Sequence, residues 1–155
     1  MLLQDFLDKD LVDIRTTPAK DWQDALRQAG SKLVEHQYIL PGYLDEIINN
    51  VKKNGAYIVI VPGVAMPHAM AESENVLGTA VGFTKFPEPV VFDPDDPDSQ
   101  AQLFFTLAAR DPEQHLQNIS DLSELLMTDG LIDQLLAVNS VEDFKRIVDA
   151  GEPKG

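Results

Sequence analysis

The chain contains no cysteine. Disulfides, thiolate zinc sites, iron–sulfur ligation and thiol nucleophiles are excluded together, and a reducing cytoplasm is the expected compartment. Positive charge is also scarce: 12 Lys and Arg stand against 26 Asp and Glu, a formal net charge of −14. Most of the surface therefore repels polyanions, so no nucleic-acid partner is expected. Long apolar runs are missing as well. The longest uncharged one, Ala56 to Met66, is interrupted by Pro62 and Gly63 and is about half the roughly 20 residues of a membrane span, so no membrane insertion is expected. The first residues, Met1 to Asp5, offer no basic region and meet an acid before any apolar stretch, so no secretory leader is expected.

Glycine-rich phosphate loops are absent too. Gly30-Ser31-Lys32 ends like one but lacks the earlier glycine and falls inside a helical pattern, outside the strand–loop–helix setting that such a loop needs. No Gly-x-Ser-x-Gly elbow and no helical pair of zinc-spaced histidines occurs, so neither metal nor cofactor is expected.

What remains is an ordinary globular composition, 155 residues with 44% hydrophobic and 25% charged, read as one domain over residues 1–155 without repeats or linkers. Leu2, Leu3, Phe6 and Leu7 suggest a short amphipathic helix. Trp22, Ala25, Leu26, Ala29, Leu33 and Val34 recur at helical steps over about four turns, with Gly30 weakening but not ending the helix. Leu44, Ile47, Ile48 and Val51 give another helix, closed by Asn54-Gly55.

Tyr57-Ile58-Val59-Ile60-Val61 reads as a buried central strand. Val76 to Phe83 reads as a second strand, and Val90 to Phe92 and Gln102 to Leu107 as a pair around the acidic loop Asp93 to Asp98. Helical spacing returns after Asp111-Pro112 in a stripe of Leu116, Ile119, Leu122, Leu125 and Leu126. A shorter helix follows Asp129-Gly130, and a last one runs from a Ser140 cap to Gly151. The expected architecture is α/β, a mixed sheet of four to five strands with helices on both faces.

Three histidines are the candidates for chemistry. His36, beside Glu35 and Gln37, is read as a surface or helix-end residue. His68 directly follows the apolar strand in Pro62-Gly63-Val64-Ala65-Met66-Pro67-His68-Ala69, the place where α/β proteins put ligand sites. The two prolines would hold the imidazole in a defined orientation, and Val64, Ala65 and Met66 would form a dry platform around it. A structural histidine bonded to backbone carbonyls is the competing reading of that position.

His115 falls in the first turn of a helix after another strand, where free amides and the helix dipole favour an anion. Two imidazoles converging on one anion point towards a phosphohistidine. Neutral imidazole, with a reference pKa of about 6.5, is nucleophilic near neutrality.

The Pro62 to Ala69 segment, preceded by Gly55-Ala56-Tyr57 and followed by Leu107 to Leu116, resembles the IIA component of the bacterial phosphoenolpyruvate-dependent sugar phosphotransferase system. The resemblance is to the mannitol/fructose type and spans nearly the whole chain. The Pro-Gly-x-Ala-Met-Pro-His form and acidic loop are most similar to the ascorbate branch. It implies that His68 accepts a phosphoryl group from the phosphocarrier HPr and passes it to a IIB component, with His115 stabilising the phosphoryl oxygens. It also implies a supporting basic residue, for which a gap-free count gives Lys52, with Lys53 adjacent; many relatives have arginine there. Val64, Ala65, Met66 and Met70 would seal the site against a partner.

Two alternatives stay open at this level: a regulatory relative of the nitrogen type, and a domain in which the two histidines hold an anion without covalent chemistry. The loop form favours transport. Ala56 to Ala71 contains no Asp or Glu, so the reactive segment forms an uncharged island within an acidic surface.

Overall fold

The computed structural model describes residues 2–69 and 73–150. Two apolar faces, not one, are written into its long strands. Along β5 (Gln100–Ala108), Leu103, Phe105 and Leu107 face one side, whereas Ala101, Phe104 and Ala108 face the other. β4 (Ala80–Val91) alternates in the same way, with Val81 and Phe83 opposed to Ala80 and Phe86. A sheet apolar on both faces must be covered on both. Helices α1 (Leu2–Asp8), α5 (Pro112–Leu126), α6 (Leu131–Leu136) and α7 (Val141–Asp149) cover the first face. Helices α2 (Trp22–Ala29), α3 (Ser31–Glu35) and α4 (Pro41–Asn54) cover the second.

With β1 (Val12–Ile14), β2 (Val59–Val61) and β3 (Gly63–Ala65), the sheet has five strands in the order β1-β4-β5-β3-β2. β1 is parallel to β4 and β3 to β5, while β4/β5 and β2/β3 are antiparallel. This is the mixed α/β architecture expected from the sequence. Local signals also hold: Ser140 caps α7 by accepting from the Asp143 amide, Pro112 opens α5, and Gly55 ends α4 with a φ of +82°. Asp93 to Asp98 form the exposed turn between β4 and β5, ordered by Asp93 and Asp96 accepting from nearby amides.

Four expectations change. The run 57–61 is not a central strand: β2 covers Val59–Val61 at the sheet edge, and Ile60 and Val61 are each 42% exposed. Pro62 and Gly63 turn the chain straight back into β3, with Gly63 at a φ of +93°, so the second half of that hairpin fills the inner position instead. The strands expected over 76–83 and 90–92 are one strand, β4. Pro87 and Pro89, which look like a break, occupy its exposed stretch where the register slips between Lys85 and Val90, as proline in a strand requires. Val76 instead bridges Ile39.

The helix expected over Trp22 to Val34 is divided at Gly30 into α2 and α3. A Cβ on Gly30 would lie 2.3 Å from the Leu44 side chain, so glycine lets α4 close on this corner. Leu116, expected in the buried stripe of α5, is 67% exposed, while Leu122 and Leu125 are buried. The predicted end of the last helix at Gly151 lies outside the described residues; α7 runs to Asp149. β1, three residues long and paired only to β4, has no counterpart among the expected strands.

Candidate functional site

β3 and β5 are parallel neighbours, so the chain leaves both at the same end of the sheet. His68 lies three residues beyond β3, and His115 is the fourth residue of the helix that follows β5. Their ring centroids are 5.3 Å apart with the planes inclined by 50°. The crevice outside the carboxyl ends of parallel strands is where α/β sheets present ligand sites.

The chain around His68 is tied down on every side. The Leu107 amide donates to the Pro67 carbonyl at 2.9 Å, continuing the bonding between β3 and β5 past the last residue of β3. The hydroxyl of the buried Tyr43, on α4, donates to the Leu107 carbonyl at 2.8 Å and accepts from the Ala69 amide at 3.1 Å. The Tyr57 hydroxyl donates to the His68 carbonyl at 2.7 Å, and its ring meets the imidazole edge-on with centroids 5.3 Å apart. Burial raises both phenols, Tyr43 to about 12, so both stay protonated.

The imidazole itself has a fixed polarity. Its Nδ1 lies 2.7 Å from the Met66 carbonyl. A carbonyl can only accept, so Nδ1 carries the hydrogen and the neutral ring keeps its lone pair on Nε2. The backbone-bonded histidine of the sequence reading is thus present, and the bond to Met66 leaves Nε2 as the ring's basic nitrogen.

His115 is positioned by its helix. Asp111 caps α5, its carboxylate accepting from the Gln114 amide at 2.8 Å. Thr79 bonds Gln114 and accepts from the Arg110 amide, and Asn118 reaches the Ala108 carbonyl at 3.4 Å. Partial burial, and secondarily the neighbouring His68, lower the His115 pKa below the ordinary histidine value, which keeps the ring neutral near pH 7. A neutral imidazole and the amides of a helix N-terminus can both donate to an anion.

A cleft of about 400 Å³ opens on this end, lined by Asn50, Asn54, Tyr57, His68 and Ala69. Neither Lys52 nor Lys53 lines it. The helical period of α4 turns Asn50 and Asn54, four residues apart, towards the cleft and carries Lys52 to another side. The residues expected to form an apolar platform are also elsewhere: Val64, Ala65 and Met66 are fully or almost fully buried in the two cores. Their side chains support the sheet and cannot meet a partner. Pro67 and Ala69 are buried within the His68 segment, whereas Pro62 and Gly63 sit at the far end of β3, in the hairpin turn. Met70 lies outside the described residues.

Exposed apolar surface against His68 is instead supplied by Tyr57, which is 38% exposed; Leu116 follows His115 on α5. Sequence reasoning missed Tyr43, Asn50, Asn54 and Tyr57 as site residues. The Asn50/Asn54 spacing on the polar side of an amphipathic helix was the one available signal. His36 ends α3 and bonds Asp10 at 3.0 Å, away from the pair.

Taken together, a mixed α/β sheet with helices on both faces and paired imidazoles beyond two parallel strands defines a class of domain, one that presents a backbone-oriented histidine at a strand end. The chain belongs to the EIIA type 2 family of the phosphoenolpyruvate-dependent sugar phosphotransferase system, whose family model matches residues 5–151. It is 32% identical over 151 residues to the mannitol-specific cryptic phosphotransferase enzyme IIA component of Escherichia coli K12, covering 97% of this chain and all of that one. It is 30% identical over 132 residues to the ascorbate-specific IIA component of the same organism, covering 84% of each. Its fold matches the IIA chain in the Escherichia coli complex of mannitol IIA with phosphorylated mannitol IIB, with a TM-score of 0.73, 28% identity, and coverage of 91% and 95%. Among the described residues no helix is long and apolar enough to cross a membrane.

Proposed function

We propose that this protein is a cytoplasmic phosphocarrier that takes a phosphoryl group from phosphorylated HPr onto His68 Nε2 and delivers it to a IIB component for uptake of a sugar or sugar acid. The observation that carries the reading is the 2.7 Å bond from Nδ1 to the Met66 carbonyl, which leaves Nε2 as the free lone pair beside a second imidazole. In the transfer step, the Nε2–P bond forms as the donor N–P bond breaks, and the bonding pair returns to the donor ring. A donor protonated on its far nitrogen leaves as neutral imidazole, so no proton has to move. Nδ1 of His68 keeps its hydrogen on Met66, and that carbonyl stabilises the cationic ring that results.

Transfer of this kind has a loose transition state and depends on alignment and charge stabilisation more than on covalent assistance. His115 supplies an N–H to the phosphoryl oxygens, and the amide-rich start of α5 adds positive potential. Tyr57 and Leu116 provide the apolar contact that excludes water from the joined sites, and the acidic surface attracts a basic-rimmed donor. The ascorbate-like loop form supports a sugar-acid substrate, although identity to the mannitol and ascorbate components is nearly equal, at 32% and 30%.

The test is incubation with phosphoenolpyruvate, enzyme I and HPr. One acid-labile phosphate per chain is expected, which purified IIB then removes. Absence of label, with a known IIA labelled in parallel, overturns the reading.

A further inference from the structure

Two tyrosines from different elements converge on one peptide unit. The Tyr57 hydroxyl donates to the His68 carbonyl at 2.7 Å, and the Tyr43 hydroxyl accepts from the Ala69 amide at 3.1 Å. That carbonyl and that amide are the two ends of the single peptide joining His68 to Ala69. We infer that Tyr43 and Tyr57 act as a clamp on this peptide and are positioning residues for phosphoryl transfer at His68, an inference that rests on the functional reading above.

The geometry shows how the clamp would act. A peptide plane held at both polar ends cannot rotate, so the ψ of His68 and the φ of Ala69 are fixed together. The preceding peptide is held as well, because the Pro67 carbonyl accepts from the Leu107 amide and the proline ring restricts its own φ. The Cα of His68 therefore lies between two immobilised planes. Only the side-chain torsions remain, and the bond from Nδ1 to Met66 and the edge contact with Tyr57 restrict those.

Tyr43 adds a second function. Its hydroxyl hydrogen goes to the Leu107 carbonyl, so one oxygen joins the His68 segment to the strand that leads to α5 and His115. The distance between the two imidazoles is thus referred to a common point in the buried core. Burial raises the Tyr43 phenol to about 12, so the donor hydrogen is retained near neutral pH.

The test uses Tyr43→Phe, Tyr57→Phe and the double variant in rapid-quench labelling by phosphorylated HPr, with amide exchange at Ala69 measured by NMR. Each single variant is expected to lower the saturating rate about tenfold, since small misplacements of a reacting group carry penalties of this order. The half-saturating HPr concentration should stay within about twofold. The double variant should lose less than the product of the two, because either loss already frees the same peptide. Ala69 should exchange faster in Tyr43→Phe.

Tyr57 is partly exposed, so its variant keeps the test valid if Tyr43→Phe fails to fold. Parental saturating rates, or an effect confined to half-saturation, overturn the clamp. So does unchanged Ala69 exchange in a folded Tyr43→Phe. Parent protein that shows the expected exchange but takes no label at His68 would instead sink the phosphocarrier reading alone.

Discussion

Pro67 to Ala69 and the first turn of α5 bring their histidines within 5.3 Å of each other, yet they hold them by opposite means. His68 lies on irregular chain, and specific hydrogen bonds hold it: Pro67 to Leu107, His68 to Tyr57, Ala69 to Tyr43, and the ring to Met66. His115 lies on a capped helix, and regular geometry places it; among the described residues none hydrogen-bonds its ring. The difference matches what the proposed phosphoryl transfer would ask of each ring. A nucleophile needs one defined nitrogen and one direction of approach, which only specific bonds to the ring and its backbone provide. A group that donates to phosphoryl oxygens needs proximity and must adjust as the anion arrives and leaves, which a partly exposed side chain on a rigid helix allows.

The largest effect should come from removing the fixed member. His68→Ala is expected to abolish labelling by HPr while leaving thermal unfolding close to that of the parent, as the side chain is only partly buried. His115→Ala should still accept label, but about a hundredfold more slowly, the usual consequence of losing one donor to a developing anion. If His115→Ala were as inert as His68→Ala, the division between acceptor and stabiliser would fail.

A smaller effect is expected from Asp111→Ala, which removes the side-chain cap of α5. It should cost about 1 kcal/mol in thermal or urea unfolding, the typical value for a lost cap. The variant should retain its phosphorylation site. An unchanged stability would show that the helix turn is not held as described.

The smallest effect is a pH dependence. Burial lowers the folded-state pKa of His115 below the ordinary histidine value of about 6.5, so below that value the unfolded chain binds more protons than the folded one. This contribution to stability is complete above about pH 6.5 and is lost as pH falls through the lowered value. His115→Asn should flatten that part of the stability–pH curve, measured by urea unfolding. A curve identical to the parent's contradicts the assignment of the shift to this ring.

Much of this contrast was legible in the sequence, and what was not has a physical cause. The two histidines stood out because each follows a strand and one opens a helix with Asp-Pro, signals carried by local chain geometry. Position within the sheet was not legible. A β-branched run such as 57–61 signals extended chain, but whether it lies centrally or at an edge depends on the partner it meets, and Pro62-Gly63 supplies that partner by an immediate reversal. For the same reason the sequence of Val64, Ala65 and Met66 suggests a docking platform, whereas their side chains face the cores. Alternation over three residues cannot show which side is covered.

The clamp around His68 was hidden for another reason. Tyr43 and Tyr57 reach the peptide from α4 and from the chain before β2, at 26 and 11 residues' separation from their bonding partners. No local spacing encodes such convergence. A count along the sequence selects Lys52, but the helical period turns Asn50 and Asn54 to the cleft, which neither Lys52 nor Lys53 lines.

The central claim, that the backbone of this segment selects Nε2 of His68 as the phosphoryl acceptor, is tested most directly by long-range proton–nitrogen NMR of the protein before and after phosphorylation. The expected result is a hydrogen on Nδ1 of His68 beforehand and phosphorus bonded to Nε2 afterwards, with Nδ1 still carrying its hydrogen. Phosphorus on Nδ1, or on His115, would contradict it.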